Sequence, residues 1–187
     1  LHRSAPHPRS RGAGVPELSV ADLDVAAEVA AAEQRIRAYV RTTPLEPGPA
    51  FAAAGGELLF KCENLQRTGS FKVRGALNKV LALSEDERGR GVVTASTGNH
   101  GAAVAYALAR LGAVGTMFLP ETAAPTKVKA IERLGGRIAF HGRDGAETEV
   151  HARAHAEARG LTYVSPYNDS QVLAGQVTIA VELLQQA

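Results

Sequence analysis

Residues 91–119 read GVVTASTGNHGAAVAYALARLGAVGTMFL, and this stretch decides the fold class. Its two ends, 91–95 (GVVTA) and 115–119 (GTMFL), are short apolar runs bounded by glycine, the pattern of a buried strand. Between them, residues 99–111 are alanine-rich and long enough for a helix of three turns. Strand, helix and strand in that order predict a parallel βαβ unit.

The grammar repeats outward. Residues 57–63 (ELLFKCE) predict a short strand, 64–69 a loop and 70–83 a helix. Downstream, 125–134 predict a helix opened by proline, 137–140 a strand, 145–159 a helix and 161–164 a strand. A last helix is expected from Gly175 to the end, with no strand after it, so the parallel sheet is expected to keep an unpaired edge. Upstream, Val25, Val29, Ala32, Ile36 and Val40 recur at helical spacing behind a capping-box-like start at Ser19 and Asp22. That helix should end by Thr43, because Pro44 disfavours the α region before it. Residues 1–16, with three prolines, two glycines and scattered arginine, predict a disordered tail.

Composition bounds the function. The 187 residues are 45% hydrophobic and 21% charged, an ordinary globular balance that excludes disordered and collagen-like classes. The longest apolar run, 102–109, is far too short to span a bilayer, so no membrane partner is expected. The net charge of +2 divides into +3 on residues 1–16 and −1 on the rest, which leaves no basic stripe for nucleic acid. Cys62 is the single cysteine; it cannot form an internal disulfide and fits a reducing, cytoplasmic setting. No secretory h-region opens the chain, and the absence of an initial Met suggests a fragment or a processed product.

Two segments carry chemistry. Ser96-Thr97-Gly98-Asn99-His100-Gly101 follows a predicted strand and opens a predicted helix. Free backbone N–H groups and the positive dipole end there favour a carboxylate or phosphate. The plainer alternative is a strand-to-helix turn capped by Asn99. It is not a dinucleotide fingerprint, because the first spaced glycine is missing. In the second, Ser70-Phe71-Lys72-Val73-Arg74-Gly75-Ala76, Lys72 is one of five lysines against sixteen arginines. A lysine in the first turn faces the positive end of the helix, and a neutral lysine is what Schiff-base chemistry needs. Alone, it also reads as a solvated surface lysine. His151 and His155 are spaced i and i+4, but no third ligand of matching type accompanies them, and no metal site is expected. No G-x-S-x-G elbow or Walker loop is present.

Together the motifs are recognisable. Residues 63–76 (ENLQRTGSFKVRGA) closely resemble the lysine segment of the serine/threonine dehydratases, fold-type II pyridoxal-phosphate (PLP) enzymes that include serine racemase. Ser96 to Gly101 resembles the family's Asn loop. The resemblance extends through Arg41-Thr42-Thr43-Pro44-Leu45, residues 125–129 and residues 174–179, covering about 33–187 in the family's order. It implies an α/β, three-layer, parallel-sheet fold of the tryptophan synthase β type, incomplete at the C-terminus. Residues 17–84 plus 161–187 would form part of a large PLP domain and 85–160 a small α/β domain.

The resemblance also implies roles. Lys72 would hold PLP covalently and remove the substrate Cα proton. Phe71 would pack beside the cofactor ring and Asn99 would bond its 3′-oxygen. Ser96, Thr97, Asn99 and the His100 backbone would hold the substrate carboxylate. The implied reaction is β-elimination: a 2-amino-3-hydroxy acid such as threonine or serine is dehydrated and deaminated to a 2-oxo acid and ammonia. A homo-oligomer is implied for a full-length form.

Several departures qualify these expectations. Thr97 stands where many members have Ser, and Tyr167 follows Pro166 where the racemases place Asn, which argues against racemisation. Val177 replaces the second Gly of a G-Q-G-T run, and tight packing or a positive φ there would strain it. No glycine run exceeds two residues, so the family's glycine-rich phosphate loop, pyridine-nitrogen partner and cation site have no candidates, and weak or absent activity is expected. A non-catalytic α/β fragment acting as an assembly partner, or another fold-type II activity (threonine synthase, β-replacement), are the alternatives.

Overall fold

The computed structural model describes residues 24–48 and 58–187. The chain runs α1 (Val25–Ile36), β1 (Leu45–Pro47), β2 (Leu59–Lys61), a short 3-10 turn (Glu63–Leu65), α2 (Lys72–Ala82), α3 (Glu85–Arg90), β3 (Val92–Ala95), α4 (Asn99–Leu111) and β4 (Gly115–Leu119). It continues through α5 (Pro125–Arg133), β5 (Arg137–Phe140), α6 (Gly145–Arg159), β6 (Thr162–Tyr163) and α7 (Ser170–Gln186). Strands β5, β4, β3 and β6 form, in that order, one parallel sheet, and β1 and β2 form a separate antiparallel pair.

The sheet lies between two helical layers, as the alternation along its strands dictates. Val92, Met117 and Leu119 face the larger core with Ala103, Val104, Ala107 and Leu108 of α4, Leu77 and Val80 of α2, and Ile131 of α5. Val93 and Phe118 face the other way, onto Ala152 and Ala156 of α6. Helices α4 and α6 each stop at a left-handed glycine, Gly112 and Gly160, both at φ 62°. A polar tie holds α1 to the pair α2 and α7: Arg35 donates to Asn78 and Gln171, and Asn78 donates to the Gln171 carbonyl (2.7 Å).

Three expectations are corrected, and one helix, α3, was not expected. Helix α1 ends at Ile36, inside the limit set by Pro44 but short of Val40 on the expected stripe, and the backbone beyond it serves distant partners: Arg41 N–H donates to Gln66 Oε1 (2.9 Å) and Thr43 N–H to Glu182 (3.3 Å). Helix α7 begins at Ser170 rather than Gly175, because the Asp169 carboxylate caps the Val172 N–H (3.0 Å). Helix α3 escaped the reading, although Ser84 and Glu87 form its capping box. Val177 is unstrained: it lies exposed in α7, and no described non-glycine residue has a positive φ. The expected start at Ser19 and Asp22, the tail 1–16 and Glu57 lie outside the described residues.

Candidate functional site

Lys72 is the first residue of α2. The chain reaches it through Gly69, whose φ of 73° and N–H bond to the Gln66 carbonyl (2.9 Å) make a turn that suits glycine. The first turn of α2 is then locked from beneath. Arg74 is buried and donates twice to Glu63 (2.8 Å each) and once to Glu182 (2.9 Å). Glu182 also accepts from Lys61 (2.6 Å), so two cations and two carboxylates alternate in one chain, with Arg74 and Glu182 buried and Lys61 and Glu63 partly so. Burial alone raises the Glu182 carboxyl, but the bonds from Arg74 and Lys61 outweigh it and hold the group below its ordinary range.

This lock leaves the Lys72 side chain half-buried beside the exposed Phe71 ring, Nζ 5.3 Å from the ring centroid. Nζ donates to the Pro166 carbonyl (2.9 Å). Thr68 Oγ1 and Ser70 Oγ, in the segment leading to Lys72, are buried without a hydrogen-bond partner among the described residues.

The second half of the site is the start of α4. Its cap residue, Gly98, offers no side-chain bond, so among the described residues the first N–H groups of the helix have no cap. Ser96 Oγ turns back to accept from Gly98 N–H (3.2 Å); Ser96 and Thr97 are half-buried and Asn99 is exposed. His100 is buried, 3% exposed, with Nε2 3.1 Å from the Val164 carbonyl, which assigns the proton to Nε2. Its Nδ1 has no partner among the described residues. Burial, aided by the positive charge of Lys72, pushes the imidazole down to about 4, and the Val164 bond offsets part of that.

Ser96, Thr97 and Asn99 make no direct hydrogen bond to Lys72 among the described residues. The link is indirect, through residues 164–166, which connect His100 to the Lys72 amine. Reading along the chain missed this connector, because the Pro166 carbonyl lies 94 residues from Lys72 and carries no side-chain signal. It also missed the ion chain beneath α2, whose members lie up to 121 residues apart.

Tyr167 projects from the same turn, and its hydroxyl donates to Glu149 of α6, which Arg153 also binds (2.7 Å). A concavity of about 630 Å³ lined by His141, Glu147 and His151 includes none of the predicted site residues. His141 and His151 stack there at 3.6 Å, and no described group of three or more His, Cys, Asp or Glu residues is placed to hold a metal.

A half-buried amine beside an aromatic ring, together with an uncapped helix start, suits an aldehyde-bearing cofactor and an anionic substrate. Residues 36–187 match the pyridoxal-phosphate dependent enzyme family, and the chain belongs to that family. It is 42% identical over 156 residues to an L-threonine ammonia-lyase of Geobacter sulfurreducens, covering 83% of this chain and 39% of that protein. Identity to a serine racemase of Oryza sativa is 39% over 156 residues, covering 83% of this chain and 46% of the other. The structure of the processed form of threonine deaminase isoform 2 from Solanum lycopersicum superposes with a TM-score of 0.83 at 35% identity, covering 87% of this chain and 47% of that one. The chain thus spans less than half the length of each of these three. Among the described residues no helix is long and apolar enough to cross a membrane.

Proposed function

We propose that the chain is the lysine-bearing portion of a PLP-dependent ammonia-lyase acting on a 2-amino-3-hydroxy acid such as threonine or serine. The single observation that carries this reading is the placement of Lys72 Nζ: half-buried, beside Phe71, and held by a backbone carbonyl rather than by a carboxylate. An amine paired with a carboxylate would be fixed as a cation; one held by a carbonyl can still act as a nucleophile and a base.

The residues present fit the cofactor. Phe71 offers a flat apolar neighbour, Asn99 an amide for a ring oxygen, and Thr68 and Ser70 orphaned hydroxyls in the segment before the amine. Bound here, PLP would supply the electron sink for charge developing at the substrate Cα. The chain's own residues do the rest. Lys72 Nζ would hold the cofactor and later take the Cα proton. The free N–H groups at Asn99 and His100, with the Ser96, Thr97 and Asn99 side chains, would hold the substrate carboxylate. Departure of the β-hydroxyl as water leaves an enamine that hydrolyses to a 2-oxo acid and ammonia. We further assign residues 17–84 with 161–187 to a cofactor-binding domain and 85–160 to a small domain. No glycine run longer than two offers these 187 residues a phosphate cradle, so cofactor binding by this chain alone should be weak.

Adding PLP and trapping with borohydride tests the site. The expected result is one dominant adduct, at Lys72, lost in Lys72→Ala. A dominant adduct at Lys61, Lys79, Lys127 or Lys129 would overturn the assignment.

A second reading, association with another protein surface, is favoured by the outer face of α7, where Leu173, Val177 and Leu184 are all exposed. Light scattering tests it through self-association: a concentration-independent monomer argues against this reading.

A further inference from the structure

The Lys72 amine is held by a carbonyl, and that carbonyl is itself held. Pro166 belongs to the turn between β6 and α7, which is pinned at both ends. At its start, the Val164 carbonyl accepts two side-chain donors, Thr94 Oγ1 from β3 (2.8 Å) and His100 Nε2 from α4 (3.1 Å), while Val164 N–H donates to the Val93 carbonyl (2.8 Å). At its far end, Asp169 caps α7 and pairs with Lys79 of α2 (2.7 Å). Between them, buried Ser165 accepts the Asn168 N–H (3.0 Å). The turn therefore has little freedom, and Pro166 presents its oxygen to Lys72 from a fixed position.

We propose that the His100 side chain is a positioning residue for Lys72, acting through the Val164 carbonyl and the turn that carries Pro166. This rests on the reading of Lys72 above and adds a role for an imidazole to which only a backbone contribution was assigned. The imidazole is suited to it. It is buried and neutral above acid pH, so it donates one fixed N–H to Val164 and brings no competing charge toward the amine. It also sits one residue past Asn99, so the helix start assigned to the substrate carboxylate and the amine assigned to the cofactor share one rigid connector. A displacement of α4 would reach Lys72 by this path.

Trace acetylation of the 187-residue chain, with the adduct at each lysine measured by peptide mapping, needs no cofactor and reads Lys72 against exposed Lys127 and Lys129. In His100→Leu the Lys72 ratio should rise roughly threefold or more, the order of one net hydrogen bond. His100→Gln, whose amide can still donate to Val164, should restore the parent ratio. Thr94→Val, which removes the other donor, should raise it. An unchanged ratio in His100→Leu, or a His100→Gln ratio as high as that of His100→Leu, overturns the proposal. Should His100→Leu fail to fold, Thr94→Val decides: a raised ratio supports the connector and an unchanged one overturns it. PLP trapping in the parent is scored separately. Failure to label Lys72 there, with the acetylation ratio still shifted by His100→Leu, overturns the functional reading and leaves the positioning role standing.

Discussion

Gly75 and Gly175 meet backbone to backbone where α2 crosses α7: a Cβ added to Gly175 would lie 2.6 Å from the Gly75 Cα and 2.6 Å from the Arg74 carbonyl oxygen. A Cβ on Gly75 would lie 2.6 Å from the Val172 carbonyl oxygen. Neither main chain can retreat cheaply, because Arg74 is bonded into the ion chain below it. Gly175→Ala should therefore destabilise the chain by about 1–3 kcal/mol, as overpacking does, despite alanine's better helix propensity. Gly89→Ala is the control: that glycine is in α3 with no atom of the described residues within 4 Å of the added carbon, and the change should stabilise by about 0.5–1 kcal/mol. Urea midpoints of the two variants should move in opposite directions.

The ion chain beneath Lys72 makes a second prediction. Arg74→Met leaves Glu63 and Glu182 facing each other without their shared cation, and breaking a buried pair from one side costs about 3–5 kcal/mol. Glu182→Gln should cost less, because Lys61 and Arg74 keep hydrogen-bond acceptors in its amide oxygen and in Glu63. The order Arg74→Met well below Glu182→Gln, in thermal midpoint, is the check. Equal losses would mean that Glu63 makes no separate contribution.

These two relationships mark the border of what is legible in the sequence. The strands and helices of the βαβ units follow from local periodicity, and Asn99–Leu111 and Gly145–Arg159 fall where the pattern predicts them. Lys72 and the loop Ser96–Gly101 are visible because their chemistry is written in contiguous residues. The tertiary demands are not. Nothing near Arg74 in sequence announces Glu182, 108 residues away, and nothing near Thr43 says that its N–H serves the same carboxylate rather than a helix. The tightly packed glycine is hidden for a related reason. Val177 stands out as a break in a familiar run, yet the close approach belongs to Gly175, one half-turn earlier, whose role depends on α2.

His100 predicts how stability responds to acid. Its folded value, about 4, lies below the ordinary 6.5, so the unfolded chain binds the proton more readily. Stability from keeping this imidazole neutral is complete above pH 6.5 and is lost as pH falls from 6.5 toward 4, on the order of 3 kcal/mol in all. From about pH 4.5 downward Glu182, held under its ordinary value, adds a further loss as it takes up a proton. Urea midpoints at pH 7.0, 5.5 and 4.5 should decline for the parent. His100→Leu should decline less over the same interval, since the depressed His155 titrates in both. Parallel curves for the two would show that His100 is accessible to protons in the folded chain.

Gly101 predicts the most local effect on the site. A Cβ there would collide with the Ser96 carbonyl oxygen and press on Ile131 Cδ1 at 3.2 Å. The oxygen belongs to the loop that holds Ser96, Thr97 and Gly98, and Ile131 belongs to the buried core, so the loop is the part free to move. Gly101→Ala should thus shift the start of α4 rather than unfold it, costing about 1–3 kcal/mol in urea. The shift has a path to the amine: His100 moves with α4, and with it the Val164 carbonyl. Lys72 acetylation should therefore change in Gly101→Ala in the same direction as in His100→Leu. By contrast Gly98→Ala, whose added carbon meets only Ser96 Oγ at 4.0 Å among the described residues, should leave Lys72 as it is. Equal effects from the two alanines would argue that backbone flexibility of the loop, and not the approach of Gly101 to Ser96, sets the geometry of the site.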